Sequence, residues 1–238
     1  MKNFLYTVTS VLFMLAVIIA IPASILANKN HQLAVSPTYI PYTPPTTVDS
    51  SVNALDTAFN VQNMVALFIG DSHTSNHTQG WQKHLSDSVG FKMINASVGG
   101  KTTYWMLEQA VYRINTKVDY VFVYGGANDM YSSSITPKEA VDNIRGIARI
   151  AAKQGAKCII ITGFDPIKCT RTPNPNYGRR YATFQDMLLT EYMEGAIVVD
   201  TRVVARTDCW DNLCHMAPSG HKKIASKVIK DLKFKKVK

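Results

Sequence analysis

The chain is predicted to be an α/β protein built on a parallel β-sheet that helices cover on both faces. Two observations predict this fold class. Apolar runs of strand length recur along the chain, and segments of good helix formers separate them. The strand runs are almost continuously apolar, which is typical of strands buried on both faces of a parallel sheet. At 238 residues the chain can hold one such domain, with further sequence at its ends.

The predicted elements alternate regularly from residue 64 onwards, and no internal repeat is evident. The apolar run Met64–Ile69, which Gly70 follows, is predicted to be the first strand. Pro137 favours a helix start, and Gly155 favours the end of the same helix. The remaining predicted strands are Lys92–Ala96, Asp119–Tyr124, Lys157–Thr162 and Ala196–Asp200, and helices are predicted over 79–89, 102–115, 137–154, 179–194 and 219–234.

The uncharged stretch near the N-terminus predicts that the protein is exported from the cytoplasm. Residues 4–26 carry no charge, and as a helix of about 1.5 Å rise per residue they would span a bilayer. Residues 1–27 are therefore interpreted as a cleaved signal peptide or an uncleaved membrane anchor, with a buried core helix as the alternative. Residues 28–60 are polar and contain several prolines, which favours an extended spacer or a loop lying on the domain surface. The globular domain is then 61–238, outside the cytoplasm.

The positive charge of the chain is concentrated at one end. Of the net charge of +9, the segment from Lys222 to the C-terminus carries +7. This local excess does not indicate a nucleic-acid partner. It predicts a solvated basic helix face, or a face in contact with anionic polymers or lipid headgroups.

Four cysteines lie in the second half of the chain: Cys158, Cys169, Cys209 and Cys214. Their spacing contains no C-x-x-C pair, so a zinc site is not indicated. In an oxidising compartment a disulfide is expected among them, without a pairing that the sequence can assign. Cys158, at the start of a predicted strand, is also consistent with a buried thiol.

Three polar motifs predict a catalytic site. Gly70-Asp71-Ser72 follows the first strand, Gly126-Ala127-Asn128-Asp129 follows the third, and His215 precedes the last helix. The carboxyl ends of parallel strands meet at one edge of a sheet, where sites form. At a strand-to-helix turn Ser72 would be a nucleophile activated by His215, and Asn128 would donate to an oxyanion. The alternatives are a helix cap at Ser72 and a simple turn at Asn128.

Other candidate residues surround these motifs. His73 and His77 follow the serine and are expected to face solvent, with lining of a pocket as the alternative. His221 is expected to be a surface or packing residue within the last helix. Four aromatic residues near strand ends are candidates either for a substrate cleft or for the core: Tyr104, Trp105, Tyr131 and Phe164.

The motifs resemble those of the SGNH hydrolase superfamily, also called GDSL-type esterases, over residues 64–233. Asn95–Thr103 is similar to its glycine motif, and His215–His221 to its histidine motif. The resemblance implies a flavodoxin-like three-layer α/β/α fold with a five-stranded parallel sheet. It also implies a metal-free and cofactor-free mechanism, in which His215 deprotonates Ser72. The oxyanion would be bound by the N–H groups of Ser72 and Gly100 and by the Asn128 amide.

The histidine motif departs from the family pattern at one position. The family usually places an aspartate three residues before the histidine, where this chain has Asn212; Asp211 lies four residues before. Asp211 is favoured as the partner of His215, through a one-residue bulge. The alternative is that Asn212 takes this place and the site works as a dyad, with less stabilisation of the imidazolium.

The function predicted from these features is a serine esterase that removes acetyl or short acyl groups, with envelope or extracellular glycans as the expected substrates. One alternative is an O-acyltransferase acting on a carbohydrate with the same residues. The other is a catalytically inactive glycan-binding domain, which the displaced aspartate motivates. The sequence contains no signal for a nucleotide, a flavin or a nucleic acid, and the expected partners are an acylated substrate and, through the N-terminal segment, a membrane.

Overall fold

A parallel five-stranded sheet forms the centre of the domain. The structure is a computed structural model that describes residues 59–76, 78–132, 134–165, 176–210 and 215–237. Each strand is rich in Val, Ile, Phe and Tyr, which suit a strand packed on both faces. The strands are β1 (Val65–Gly70), β2 (Lys92–Asn95), β3 (Tyr120–Tyr124), β4 (Lys157–Ile161) and β5 (Ala196–Val199).

The order of the strands across the sheet is β2-β1-β3-β4-β5, and every neighbouring pair is parallel. This order reverses direction between β1 and β3, where the chain leaves the sheet toward opposite sides. The register pairs Gly70, the last residue of β1, with Tyr124, the last residue of β3. Strands β1 and β3 therefore end at the same level, next to each other at the edge of the sheet. The predicted α/β class and the flavodoxin-like strand order are confirmed.

Helices cover the sheet in two groups. Helix α1 packs against α6, whereas α4 packs against both α2 and α5. The helix α4 begins at Pro137 as predicted, with a capping box in which Thr136 and Glu139 bond each other reciprocally. The helices are α1 (Trp81–Val89), α2 (Thr103–Arg113), α3 (Ala127–Tyr131), α4 (Pro137–Lys153), α5 (Tyr177–Thr190) and α6 (Pro218–Asp231), and a 3₁₀ turn covers Arg206–Asp208.

The predicted elements agree with the observed ones to within a few residues, apart from two short ones. The five-residue helix α3 and the 3₁₀ turn were not predicted. Both are shorter than the stretch over which an apolar repeat is recognisable in a sequence. Helix α3 matters for the site because it begins within the Gly126–Asp129 motif.

Stacked aromatic rings fill the core between the sheet and α1. Phe68 of β1 and Phe122 of β3 stack with ring centroids 4.8 Å apart. The ring of Trp81 meets the edge of this stack at 5.4 Å from Phe68. All three side chains are fully buried. This contact joins the first residue of α1 to the two central strands.

Several expectations fall wholly or partly outside the described residues. The predicted membrane segment 1–27 and nearly all of the spacer 28–60 lie there, as do Cys169 and Cys214. Within the described ranges, no helix combines the length and apolar character that a membrane span requires. Cys158 is free and buried in β4, as the alternative expectation had it, and burial raises the pKa of its thiol to about 12.

A buried histidine caps helix α1. The N–H of Trp81, one of the donors that the start of a helix leaves unpaired, donates to Nδ1 of His221 over 3.2 Å. His221 is 5% exposed, in agreement with the expected packing role. To accept this bond Nδ1 must be unprotonated. Burial, followed by the charges of His73 and His84, lowers the pKa of His221 from 6.5 to about 4.

This shift predicts a loss of stability in acid. Between pH 6.5 and about 4 the unfolded chain binds a proton at His221 and the folded chain does not. The free energy of unfolding is therefore expected to fall as the pH falls through this window, by up to about 3 kcal/mol. In His221→Gln, which keeps an acceptor but cannot titrate, urea unfolding at several pH values should show a shallower fall. Equal slopes for the two proteins would contradict this role.

Candidate active site

The serine turn is held close to the neighbouring strand. A Cβ atom at Gly70 would lie 2.3 Å from the carbonyl oxygen of Tyr124, so only glycine fits here. The N–H of Asp71 donates to the same oxygen over 3.4 Å. Ser72 is thus the second residue after the end of β1, at the carboxyl edge of the sheet.

Ser72 lies in a single turn that does not continue into helix α1. The carbonyl of Asp71 accepts the N–H groups of Thr74 and Ser75, each over 3.0 Å, which closes a single turn. The next carbonyls do not continue the pattern, because the carbonyl of Thr74 accepts the side-chain amides of Gln82 and Asn95. Helix α1 starts only at Trp81. Tertiary hydrogen bonds therefore replace the helical ones after this turn.

His215 is held by a short antiparallel contact. Its carbonyl accepts the N–H of Trp210 over 2.8 Å, and the N–H of Ala217 donates to the carbonyl of Asp208 over 2.7 Å. Helix α6 then begins at Pro218, whose fixed φ suits the first helical position. These bonds fix the main chain at 208–210 and at 215–217. His215 therefore projects from a defined position rather than from a free loop.

The structure brings Ser72 and His215 together. Ser72 Oγ lies 2.9 Å from His215 Nε2, which is hydrogen-bond distance. The two residues line a cavity of about 380 Å³ at the carboxyl edge of β1 and β3. The cavity is lined by Ser72, His73, Gly100, Ala127, Asn128, Tyr131, Tyr177 and His215.

A buried carboxylate holds the Gly100 loop against α3. Both oxygens of Asp129 accept the N–H of Thr103, over 3.1 and 3.0 Å, and Oδ1 also accepts the Thr103 hydroxyl. Burial raises the pKa of Asp129, and the hydrogen bonds from Thr103 offset only part of this effect. Sequence reasoning placed Asp129 in a motif without giving it a task. Its task in the structure is to tie the start of α2 to the end of β3.

Three of the residues that line the cavity with His215, namely Ser72, Gly100 and Asn128, carry hydrogen-bond donors. Neither the Ser72 nor the Gly100 N–H donates to another described residue, and both residues line the cavity. Asn128 Nδ2 donates one hydrogen to the carbonyl of Lys101 over 3.0 Å. A side-chain amide has two hydrogens, so one is left for another acceptor. The residues predicted to bind an oxyanion therefore lie around one cavity with donors to spare.

His73 was expected to face solvent, and this expectation is wrong. The side chain is buried at the cavity wall, because Asp71 and several aromatic rings surround it. Its ring centroid lies 5.2 Å from that of Phe164 and 5.1 Å from that of His215. His77 lies outside the described residues. The sequence signal that was available is the single residue between Asp71 and His73, which permits a local hydrogen bond.

The four aromatic candidates separate into different environments. Phe164 is fully buried, and Trp105 packs on the core as a partly buried residue. Tyr104 is largely exposed. Tyr131 reaches the cavity, with its ring 5.7 Å from that of Tyr177, a buried lining residue that the sequence reasoning did not single out.

Two further questions depend on the described range. Asp211 and Asn212 lie outside it, so the choice between them as partner of His215 stays a prediction. Among the described residues, no group of three or more His, Cys, Asp or Glu side chains is placed to hold a metal ion.

Fold and site together define a serine hydrolase arrangement on a flavodoxin-like sheet. The model of the GDSL-like lipase/acylhydrolase family matches residues 68–223, well over half of the chain. The protein belongs to this family and is a serine ester hydrolase. No curated protein sequence matches the chain.

Solved structures share the fold. A mutant of an acetyl-xylooligosaccharide esterase from Geobacillus stearothermophilus is 16% identical and superposes with a TM-score of 0.60, over 76% of this chain and 99% of its own. An α/β hydrolase from the metagenome of Lake Arreo is 17% identical, with a TM-score of 0.61 over 74% and 97%. A member of the lipolytic G-D-S-L family from Veillonella parvula is 14% identical, with a TM-score of 0.59 over 70% and 97%. At these identities the likeness concerns the fold.

Proposed function

We propose that the protein hydrolyses acetyl or other short acyl esters on a carbohydrate outside the cytoplasm, through an acyl-serine at Ser72. The observation that carries the proposal is the 2.9 Å contact between Ser72 Oγ and His215 Nε2 in a cavity that Gly100 and Asn128 also line. A serine hydroxyl becomes an effective nucleophile when a base takes its proton. An ester carbonyl placed beside Oγ would meet both the nucleophile and the donors.

The first half of the reaction forms the acyl-enzyme. His215 Nε2 takes the Ser72 proton as Oγ bonds to the ester carbonyl carbon, and the carbonyl oxygen becomes an oxyanion. The N–H groups of Ser72 and Gly100 and the second amide hydrogen of Asn128 bind this oxyanion. When the carbonyl re-forms, the bond to the leaving alcohol breaks. His215 gives its proton to that alcohol oxygen.

The second half releases the acid. Water attacks the acyl carbon while His215 takes one of its protons, and the same donors bind the second oxyanion. The bond to Ser72 Oγ then breaks, and the proton returns from His215 to Oγ. No atom other than those of ester and water is consumed, so the cycle needs no cofactor.

The aromatic residues in the wall of the cavity support a carbohydrate as the alcohol part of the ester. Tyr131 is half exposed at the cavity and Tyr177 is buried beside it, so an aromatic surface lies next to the reacting serine. Flat aromatic faces bind the apolar faces of sugar rings by contact. One solved neighbour is an acetyl-xylooligosaccharide esterase, which supports an acetylated sugar as the first substrate to test.

The site of action is proposed to be outside the cytoplasm, with residues 1–27 as signal or anchor. The uncharged N-terminal stretch supports this, and so does the presence of Cys169, Cys209 and Cys214 as candidates for a disulfide. Cys158 is a free buried thiol and takes no part in such a bond.

The first prediction concerns Ser72. The native protein should hydrolyse p-nitrophenyl acetate faster than the octanoate and release acetate from acetylated xylo-oligosaccharides. Ser72→Ala should lower kcat by about 10³-fold or more, because no other group can carry the acyl chain.

Tyr131→Ala should lower kcat/KM for the oligosaccharide more than for p-nitrophenyl acetate. Acetate transfer to a sugar acceptor exceeding hydrolysis would favour the acyltransferase; full activity in Ser72→Ala would refute the esterase.

The second prediction decides the partner of His215. If Asp211 stabilises the imidazolium, Asp211→Asn should lower kcat about 10²-fold or more, whereas Asn212→Ala should stay within about fivefold of the native protein. The two substitutions lie side by side in one loop and serve as controls for each other. The opposite ranking would identify Asn212 as the residue that orients the histidine.

The third prediction concerns export. In cells that produce the full chain, the protein should occur in the extracytoplasmic or membrane fraction, because the apolar N-terminal stretch directs it there. Peptide mapping without reductant should recover a disulfide-linked peptide that contains Cys209. A chain found only in the cytosolic fraction, with all cysteines reduced, would be the contrary result.

A further inference from the structure

A buried histidine–aspartate pair, in which His73 lines the cavity, has no task in the proposed reaction. Asp71 is fully buried and His73 is 3% exposed. Asp71 Oδ1 accepts both the main-chain N–H and the Nδ1 of His73, each over 3.0 Å. A carboxylate only accepts hydrogen bonds, so Nδ1 carries a hydrogen, and both the rotamer and the tautomer of His73 are fixed.

The ring of His73 is a rigid support for the ring of His215. The two rings stack with centroids 5.1 Å apart and planes inclined by 28°. Phe164 and Tyr124 also contact the His73 ring, with centroid distances of 5.2 and 5.5 Å. Since both of these aromatic residues are fully buried, His73 has little room to move. The face of His215 that rests on His73 is therefore held in place.

The charge of Asp71 is poorly compensated. Among the described residues no Lys or Arg side chain pairs with it, its side-chain hydrogen-bond partner is His73, and its second oxygen, Oδ2, is buried without a hydrogen-bond partner. The field of a buried charge is screened much less than that of a surface charge. Its reach is visible at Tyr124, where the pKa of the hydroxyl is raised well above its usual value by burial and, next in size, by Asp71.

We propose that Asp71 and His73 form a positioning pair for His215, an inference that rests on the proposed serine esterase function. His73 holds the imidazole of His215 at hydrogen-bond distance from Ser72 Oγ. The negative charge of Asp71 stabilises the imidazolium that forms when His215 takes the serine proton. Neither residue needs to touch the substrate.

Asp71 and His73 are distant in sequence from Asp211 and Asn212. Asp71 and His73 belong to the turn after β1, on the same side of the site as the nucleophile. They act on the ring face of His215, whereas Ser72 meets its Nε2. The contribution of the pair should therefore persist whichever loop residue orients the histidine.

The charge is tested by Asp71→Asn in the full-length protein. The amide oxygen can still accept both hydrogen bonds from His73, so this substitution removes the charge with little change of shape. We expect kcat for p-nitrophenyl acetate to fall about tenfold, as does the rate at which a fluorophosphonate labels Ser72. KM should stay within about twofold, because the substrate is not contacted.

The ring is tested by His73→Phe, which keeps a flat side chain but removes the hydrogen bond to Asp71. We expect a loss of kcat and labelling rate at least as large as in Asp71→Asn. If the two residues act as one unit, the double variant should be no slower than the slower single variant. Losses that multiply instead would overturn the pair as a unit.

Asp119→Asn is the matched control. Asp119 Oδ2 also accepts a main-chain N–H, from Val65 over 2.7 Å, but it lies at the opposite end of β1 and β3 from Ser72. The kcat and the labelling rate of the Asp119→Asn variant should equal those of the native protein. Thermal unfolding of all variants, followed by circular dichroism, separates a lost role in the site from a lost fold.

The outcomes of the positioning test and of the esterase test differ. Native kcat and labelling rate in folded Asp71→Asn would overturn the positioning role while Ser72-dependent turnover leaves the esterase intact. A fall in activity that is matched by a comparable fall in melting temperature would mean a purely structural role and would also overturn it. Absence of both turnover and labelling in the folded native protein would refute the esterase itself, and the positioning role with it.

Discussion

Three buried carboxylates hold the three loops on which the site depends. Asp71, Asp129 and Asp208 are 0, 0 and 4% exposed, and each accepts a main-chain N–H that no strand or helix pairs. At the carboxyl edge of a parallel sheet the chain leaves the ladder, and buried N–H groups there need another acceptor. Asp71 holds the turn of Ser72, Asp129 holds the loop of Gly100, and Asp208 holds the approach to His215. The geometry of the cavity follows from these bonds.

The three carboxylates differ in how their charge is compensated. Burial raises the pKa of Asp208, but Lys223 and the N–H of Ala205 more than offset this, so that the pKa lies below its usual value. Asp129 has hydroxyl and N–H donors in place of a cation, and burial keeps its pKa raised. Asp71 is paired with a histidine, His73. The charge of Asp208 is thus compensated by a lysine, whereas the charge of Asp71, the residue before Ser72, meets only a histidine.

The comparisons separate fold from substrate. Neighbours at 14–17% identity share the sheet over about three quarters of this chain, because the buried strands require only apolar residues of suitable size. Substrate choice depends on the side chains of the cavity wall, and Tyr131 and Tyr177 lie on segments outside the strands. A fold of this kind accepts many chemistries, so we propose an acylated sugar because of those two rings and not because of the sheet.

Much of the fold could be predicted because the strands of a parallel sheet are recognisable in the sequence. Each strand is buried on both faces and so appears as an apolar run, and the polar motifs that follow β1 and β3 mark the shared edge. Ser72, Gly100, Asn128 and His215 were named from these motifs, and the structure gathers them around one cavity. Their chemical roles remain predictions.

The tertiary structure alone decided what the polar residues near the site do. His73 reads as a solvent-facing residue because histidine is polar, yet Asp71 supplies its hydrogen bond and Phe164 and His215 enclose its ring. The turn at Ser72 does not continue as a helix, and the side chains of Gln82 and Asn95 donate to the Thr74 carbonyl. The sequence by itself determined the strands and the order of the polar motifs that follow them, since local patterns encode burial. The placement of partners from distant segments has no local pattern, and it emerges only when the sheet brings those segments together.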